Sequence, residues 1–165
     1  MKENNTLILL ENVLLLLKEN KLNCYLFWWW AEELLWMIEP RSHNDIDLIY
    51  FDKNFDILDE FLSKLPNGIQ ELTSKRFEHK RAFIIDDVVC ELFLVSKSQK
   101  KIETNFWWKC LYIWPENIFD SNFVSIWENE FSVVSKEALI QYRKDHELIN
   151  SFRSKYMNEK NSIYK

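Results

Sequence analysis

The spacing of apolar residues along the chain predicts a mixture of helices and strands. Helical spacing covers residues 6–20, 31–37 and 55–65. Short apolar runs predict strands at residues 23–27, 46–51, 69–72, 82–85 and 88–95. Asp86-Asp87 lies between the last two runs, as expected for a tight hairpin turn.

The second half of the chain gives a weaker pattern. Residues 102–119 are rich in aromatic side chains, and their spacing assigns no element. Two apolar runs flank Glu128-Asn129-Glu130 and predict a second hairpin, after which Ser135 is a suitable N-cap for a helix running toward Tyr156. We therefore expect one domain over residues 1–157, followed by a polar tail at 158–165. Its fold class would be α+β, a small mixed β-sheet with helices packed on one side and a C-terminal helical segment.

Composition narrows the class of protein. The 165 residues include 47% hydrophobic residues, enough for a buried core, and no apolar run reaches the roughly 18 residues of a membrane span. Three scattered cysteines favour reduced thiols and a cytoplasmic location. A net charge of −5 argues against nucleic-acid binding, and it is compatible with a small cationic ligand.

Three carboxylates are the main candidates for chemistry. Asp45 and Asp47 share one face of a predicted strand, because side chains alternate along a strand. Glu91 lies at the centre of another apolar strand, which could deliver a third carboxylate to the same place. Oxygen donors of this kind suit Mg²⁺, and two such ions can assist phosphoryl displacement. An isolated Asp-x-Asp is also common on solvated surfaces, but Arg41 and His43 before it and Glu91 after it favour a metal site.

The segment from residue 25 to residue 50 resembles the signature of the nucleotidyltransferase superfamily. The resemblance is closest to the small aminoglycoside and lincosamide adenylyltransferases, whose pattern is a strand, Gly-Gly, Trp-Ala, a short helix, Arg-x-His and Asp-x-Asp within a strand. Arg41-Ser42-His43 and Asp45-Ile46-Asp47 match this pattern, and Trp30-Ala31 matches the Trp-Ala pair. Glu91 falls where the family has its third carboxylate.

The resemblance implies a Mg²⁺-dependent transfer of AMP from ATP to a hydroxyl group of a small acceptor. The acceptor would be aminoglycoside-like or lincosamide-like, and relatives of this size often work as homodimers. Two Mg²⁺ ions would bind Asp45, Asp47 and Glu91, with Glu91 also acting as general base. Residues 1–97 would form the nucleotide and metal core, and residues 98–157 would form the acceptor side. The positions matching the family's nucleotide-binding residues are Trp28, Trp29, Arg41 and His43.

The chain departs from the family at its glycines. Trp28 and Trp29 occupy the Gly-Gly positions, and Trp36 lies where many relatives have another glycine. A bulky indole there would fill the space that phosphates need. The substitutions could be genuine, which would make the protein a catalytically degenerate binding or interaction module. Alternatively, a UGA codon was read as Trp where the source organism reads another residue, since the chain has one Gly against eight Trp.

Several other residues have two interpretations. The aromatic residues between 106 and 114 could wall a substrate pocket, although core packing is the commoner role of such a cluster. Arg41 could pair with Asp45. His79 and His146 are expected on the surface, and Arg143 on a solvated helix face.

Overall fold

A computed structural model describes residues 5–120 and 122–163, and in this part of the chain there are four α-helices and nine β-strands. The helices are α1 (Leu7–Glu19), α2 (Trp28–Leu34), α3 (Asp56–Leu62) and α4 (Lys136–Ile163). The strands are β1 (Cys24–Phe27), β2 (Asp45–Phe51), β3 (Ile69–Glu71), β4 (Lys80–Ile85), β5 (Val88–Ser98), β6 (Lys101–Phe106), β7 (Cys110–Ile113), β8 (Phe123–Ile126) and β9 (Asn129–Ser132). A 3₁₀ turn spans Thr73–Lys75.

The strands form the mixed sheet that the sequence predicts. The strand order is β1-β2-β5-β4-β3, in which β2 and β5 are parallel and the other neighbours are antiparallel. The far half of β5 also pairs with β6, which pairs with β7. The hairpin β8–β9 is separate, although a single bridge from Leu26 to Val133 connects it to β1. This α+β architecture confirms the predicted fold class.

The largest differences from the predicted elements occur in three regions. Helix α2 begins at Trp28 and not at residue 31, because β1 ends at Phe27 and the chain turns at once through a left-handed φ of 58° at Trp28. Residues 102–119, left unassigned above, contain most of β6 and all of β7. Helix α4 continues unbroken to Ile163, past the start of the predicted polar tail; the last two residues lie outside the described part.

The core joins the first helix, the sheet and the last helix. Leu10, Val13 and Leu17 of α1 are buried, together with apolar side chains of β2 and Leu139 and Tyr142 of α4. Side-chain hydroxyls cap the N-termini of α1 and α4. Thr6 accepts a hydrogen bond from the Leu9 amide at 3.2 Å, and Ser135, the predicted N-cap, accepts one from the Ala138 amide at 3.2 Å. In the described residues, none of the helices has both the length and the apolar character needed to cross a membrane.

Candidate active site

Asp45, Asp47 and Glu91 line one cleft at the centre of the sheet. Strands β2 and β5 are parallel, and their register puts Asp47 opposite Glu91 and Asp45 opposite Val89. Since side chains alternate along a strand, the two aspartates and Glu91 share a face of the sheet. The cleft has a volume of about 330 Å³. The structure therefore brings together the three acids that the sequence singles out; we refer to this space as the acid cleft.

Burial and neighbouring carboxylates disfavour the ionised form of both aspartates. Burial raises the pKa of Asp47 well above its ordinary value, and the neighbouring charges of Asp45 and Glu91 raise it further. Burial and Glu91 also raise the pKa of Asp45, against the opposing effect of Lys75 and Lys80. A bound cation would relieve this repulsion.

Glu91 is held by two lysines that the sequence analysis did not identify. Its Oε1 accepts a hydrogen bond from Lys75 Nζ, and its Oε2 accepts one from Lys80 Nζ at 3.0 Å. Burial raises the pKa of Glu91, but the two ammonium groups outweigh this effect and bring the pKa below its ordinary value. Glu91 is consequently ionised and able to accept a proton.

The donor set fits a hard divalent cation in its chemistry. Three carboxylates border one cleft, and the raised pKa values of both aspartates come partly from unrelieved repulsion. Among the described residues, however, no group of three or more His, Cys, Asp or Glu side chains is arranged to hold a metal ion. Both oxygens of Glu91 are engaged by Lys75 and Lys80. The metal site remains a prediction.

His79 belongs to the cleft, and its expected surface position was wrong. Its side chain is buried, and burial lowers its pKa to about 3, with a further contribution from Lys80. The Trp107 backbone N–H donates a hydrogen bond to His79 Nδ1 at 3.3 Å, so the proton of the neutral ring is on Nε2. Within the described structure, Nε2 has no hydrogen-bond partner.

Trp28 and Trp29 both line the cleft beside the acids. The Trp28 ring packs edge-on against Tyr142 at 4.8 Å between centroids, and against His146 at 5.0 Å. His146 is half-buried and also borders the cleft, which corrects its predicted surface position. The two indoles therefore occupy space next to the carboxylates, as the family resemblance implies.

Arg41 and His43 are held by α2 and are not among the residues that line the cleft. The Arg41 guanidinium stacks on the Trp29 ring at 3.7 Å, and its backbone N–H donates to Glu33. His43 Nε2 lies 2.8 Å from the same Glu33 carboxylate. The structure thus gives Arg41 a partner other than Asp45, and the nucleotide-binding role of Arg41 and His43 remains a prediction.

Arg143 is not simply part of a solvated helix face. Its guanidinium makes two hydrogen bonds to Glu32, a buried carboxylate of α2, with Nε at 2.9 Å from Oε1. The guanidinium also lies 4.8 Å from the Trp29 ring centroid. Arg143 therefore fastens α4 to α2 at the edge of the acid cleft.

The aromatic residues of the β6–β7 region divide between the two interpretations. Phe106 and Trp107 are buried and line the acid cleft. Tyr112 and Trp114 are buried against Tyr142, and they do not border the cleft. Trp108 is 59% exposed. Only the first pair could contact a ligand in this cleft.

The sequence analysis did not identify several basic and polar residues that line the cleft. Asn150 and Arg153 of α4 line it together with Lys75 and Lys80. Lys80 could have been located by counting back from the predicted Asp86-Asp87 turn, because that register puts Lys80 diagonally across from Glu91. Lys75 lies in a 3₁₀ turn and carries no such periodic signal.

Comparisons with known proteins agree with the fold. No family model and no curated protein matches the sequence. Among solved structures, ANT(2'')-Ia in complex with adenylyl-2''-tobramycin matches with a TM-score of 0.61 and 14% identity, covering 93% of this chain and 97% of that one. The lincomycin-bound lincosamide adenylyltransferase LnuA matches with a TM-score of 0.61 and 16% identity, covering 88% and 94%. A candidate nucleotidyltransferase from Thermotoga maritima matches with a TM-score of 0.57 and 19% identity, covering 96% of both chains. The chain therefore has a nucleotidyltransferase-like fold.

Proposed function

We propose that the protein is a Mg²⁺-dependent nucleotidyltransferase that transfers AMP from ATP to a hydroxyl group of a small acceptor. The observation that supports this most is the alignment of Asp45, Asp47 and Glu91 in one cleft, with Lys75 and Lys80 beside them. Carboxylates and ammonium groups side by side suit a metal-bound triphosphate, which presents both cations and anionic oxygens. Structural neighbours named as adenylyltransferases add support at the level of the fold.

In the proposed reaction, Glu91 removes the proton from the acceptor hydroxyl. The resulting oxygen forms a bond to the α-phosphorus of ATP, the bond to the β-phosphate oxygen breaks, and pyrophosphate leaves with that electron pair. Glu91 suits this role because it is ionised, although it must give up one lysine contact to take the proton. Lys75 is the candidate for release, since its side chain is 39% exposed and can be solvated more readily than that of Lys80, which is 8% exposed.

Asp45, Asp47 and Glu91 are the residues that would hold the cations. Two Mg²⁺ ions, when bound, would neutralise charge on the triphosphate. Lys75 and Arg153 border the same cleft and would bind phosphate oxygens by charge-assisted hydrogen bonds. The burial of Asp47 limits its contact with water.

The acceptor that we propose is small, hydroxyl-bearing and cationic. The protein has a net charge of −5, which favours a cationic ligand over nucleic acid. Phe106 offers an aromatic surface in the cleft, on the part of the chain assigned to the acceptor side. An aminoglycoside or a lincosamide would satisfy these requirements. We further propose that the protein is cytoplasmic and that it forms a homodimer.

A second candidate function is a catalytically silent binding module. The observation that favours it is the pair of indoles at Trp28 and Trp29, which line the cleft next to Asp45 and Asp47. If both indoles are present in the natural protein, they reduce the room for a triphosphate. The two candidates differ in MgATP binding, which only the enzyme requires.

A transfer assay with α-labelled ATP and Mg²⁺ tests the first proposal. In the Trp28→Gly/Trp29→Gly chain, we expect label on at least one member of a panel of aminoglycosides and lincosamides, and we expect none when Asp47→Asn is added to that chain. The matched control is Asp120→Asn, which replaces an exposed aspartate outside the cleft. Absence of transfer by a chain that binds MgATP would contradict the choice of acceptor. Equal transfer by Asp47→Asn would contradict the mechanism.

A further inference from the structure

Tryptophan is concentrated at backbone conformations that disfavour it. In the described residues, nine non-glycine residues have a left-handed φ. Five of these nine are Trp, although the chain has only eight Trp among 165 residues. The five residues are Trp28, Trp36, Trp107, Trp108 and Trp127, with φ between 48° and 58°. A side chain with a Cβ disfavours this region, and glycine is the residue that occupies it freely.

Trp36 is at the glycine position of a helix C-terminus. Helix α2 ends at Leu34, and the Met37 amide donates to the Glu32 carbonyl at 2.8 Å, while the Trp36 amide donates to the Glu33 carbonyl at 3.0 Å. These two hydrogen bonds define a Schellman motif, whose left-handed residue is usually glycine. The Trp36 indole is 89% exposed, so packing does not explain its presence.

The β6–β7 and β8–β9 turns also have left-handed backbone conformations that favour glycine. The β6–β7 turn has left-handed φ at both Trp107 and Trp108, and the Lys109 amide donates to the Phe106 carbonyl at 3.0 Å to close it. Two adjacent left-handed residues are typical of a type I′ turn, which favours Gly, Asn and Asp. In the two-residue turn between β8 and β9, only the first position, Trp127, is left-handed. That pattern is typical of a type II′ turn with glycine first.

Two other tryptophans behave as genuine tryptophans. Trp30 is buried and its indole N–H donates to Asn5 Oδ1 at 3.2 Å. Trp114 is buried and its indole N–H donates to Thr104 Oγ1 at 2.9 Å. Neither has a left-handed φ. The backbone thus separates the tryptophans into two groups.

We infer that the natural protein has glycine at positions 28, 36, 107, 108 and 127, and tryptophan at positions 30 and 114. One base separates the glycine codon GGA from UGA, so a gene whose UGA codons specify glycine would give this chain when UGA is read as Trp. The single glycine of the chain agrees with this, since average composition would supply about 12 in 165 residues. Trp29 has no left-handed φ, and the backbone criterion leaves its assignment open.

The substitution would change the acid cleft on both sides. Trp28 and Trp107 line it, and their indoles cover Tyr142, His146 and His79. With glycine at both positions, these side chains would face the cleft directly, and the unpartnered His79 Nε2 would become available to a ligand. This consequence rests on the proposed function; the assignment of glycine rests on the backbone alone.

Sequencing the gene and the protein from the natural source tests the assignment without any activity measurement. We expect UGA at codons 28, 36, 107, 108 and 127, UGG at codons 30 and 114, and native peptides that contain glycine at all five positions by tandem mass spectrometry. Tryptophan in the native peptides at these five positions would overturn the inference. This outcome is independent of whether the protein transfers AMP.

A recombinant comparison provides a second measurement. We expect Trp36→Gly to raise the Tm of the parent chain and Trp36→Ala to raise it less, since alanine keeps the Cβ that strains a left-handed residue. Trp114→Gly should lower the Tm, because it removes a buried ring and its hydrogen bond. A lower Tm for Trp36→Gly than for Trp36→Ala would overturn the claim that this position requires glycine.

Discussion

Asp47 and Glu91 lie directly opposite each other in the parallel strands β2 and β5, and both are buried. Two ionised carboxylates at adjacent positions repel each other. The two nearby lysines form ion pairs with only one of them, Glu91. Lys75 and Lys80 bind Glu91, whereas Asp47 makes no ion pair or side-chain hydrogen bond with the other described residues. The Asp47 carboxylate is therefore buried without a directly bonded cation, which lowers the stability of its ionised form.

Asp47→Asn should therefore abolish transfer and stabilise the fold at pH 8. Burial and the charges of Asp45 and Glu91 raise the pKa of Asp47, so the folded state holds this proton more tightly than the unfolded state. Stability then falls as the pH rises from the ordinary pKa of an aspartate through the raised one. We expect a gain of about 1–2 kcal/mol in the free energy of unfolding at pH 8, measured in urea.

Asp120→Asn is the control, because Asp120 is exposed and outside the cleft. It should leave both stability and transfer unchanged. An Asp47→Asn variant that is less stable than the parent at pH 8 would contradict the electrostatic argument.

The acid trio could be predicted from the sequence because strand alternation and register are local rules. Asp45 and Asp47 share a face by alternation, and the two-residue Asp86-Asp87 turn fixes the register of β4 on β5. The family resemblance then linked Glu91 to the aspartates. Those parts of the site need no knowledge of distant contacts.

The rest of the site depends on contacts that no local pattern reveals. Arg143 reaches Glu32 across 111 residues, and Arg153 borders the cleft only because α4 continues along it. The sequence analysis placed the start of α2 three residues too late. Tryptophan is not typical of a turn, although Trp28 has the left-handed φ of a turn residue. A glycine there would have marked the boundary correctly.

The Lys80–Glu91 pair should contribute more to stability than an exposed ion pair. Lys80→Met leaves the buried Glu91 with one cation in place of two, and we expect a loss of about 2–4 kcal/mol in the free energy of unfolding. The double variant Lys80→Met/Glu91→Gln should recover part of this loss, because it also removes the buried negative charge.

Chemical denaturation of the two variants measures this coupling. The matched control is Lys64→Met, which breaks an i,i+4 pair with Glu60 whose side chains are 70% and 69% exposed. It should cause no measurable change. Equal losses of unfolding free energy for Lys80→Met and the double variant would contradict the argument that the buried charge of Glu91 is what makes the loss of Lys80 costly.

His79 should make the fold sensitive to acid. Burial lowers its folded-state pKa to about 3, whereas the unfolded chain has the ordinary value of 6.5. Between these values only the unfolded state takes up the proton, so His79 destabilises the fold as the pH falls from 6.5 toward 3. The slope can reach about 1.4 kcal/mol per pH unit.

His79→Gln removes this titration. The free energy of unfolding of the parent, measured in urea from pH 7 to pH 4, should fall relative to that of the variant over this range. His146→Gln is the comparison, since His146 is less buried and also has a lowered pKa. Parallel curves for the parent and His79→Gln would contradict the assignment of a buried neutral imidazole.

Replacing Trp28 and Trp29 together by glycine should create MgATP binding. Both indoles line the acid cleft beside Asp45 and Asp47, and their removal leaves backbone amides and open space next to the acids. At position 28 glycine also relieves a left-handed φ of 58°, by about 1–2 kcal/mol. The loss of a buried ring acts in the opposite direction and can amount to about 3–5 kcal/mol. We therefore expect similar or lower stability together with a gain of nucleotide affinity.

Calorimetric titration with MgATP compares the double variant with the parent chain, and Trp108→Gly serves as the control. Trp108 also has a left-handed φ, but it does not border the acid cleft, so its replacement should leave MgATP binding at the level of the parent chain. Binding that appears only in the Trp28/Trp29 variant would identify the two indoles as the obstruction. Negligible binding in all three proteins would show that room beside Asp45 and Asp47 is not what nucleotide binding lacks, and it would favour the silent module over the enzyme.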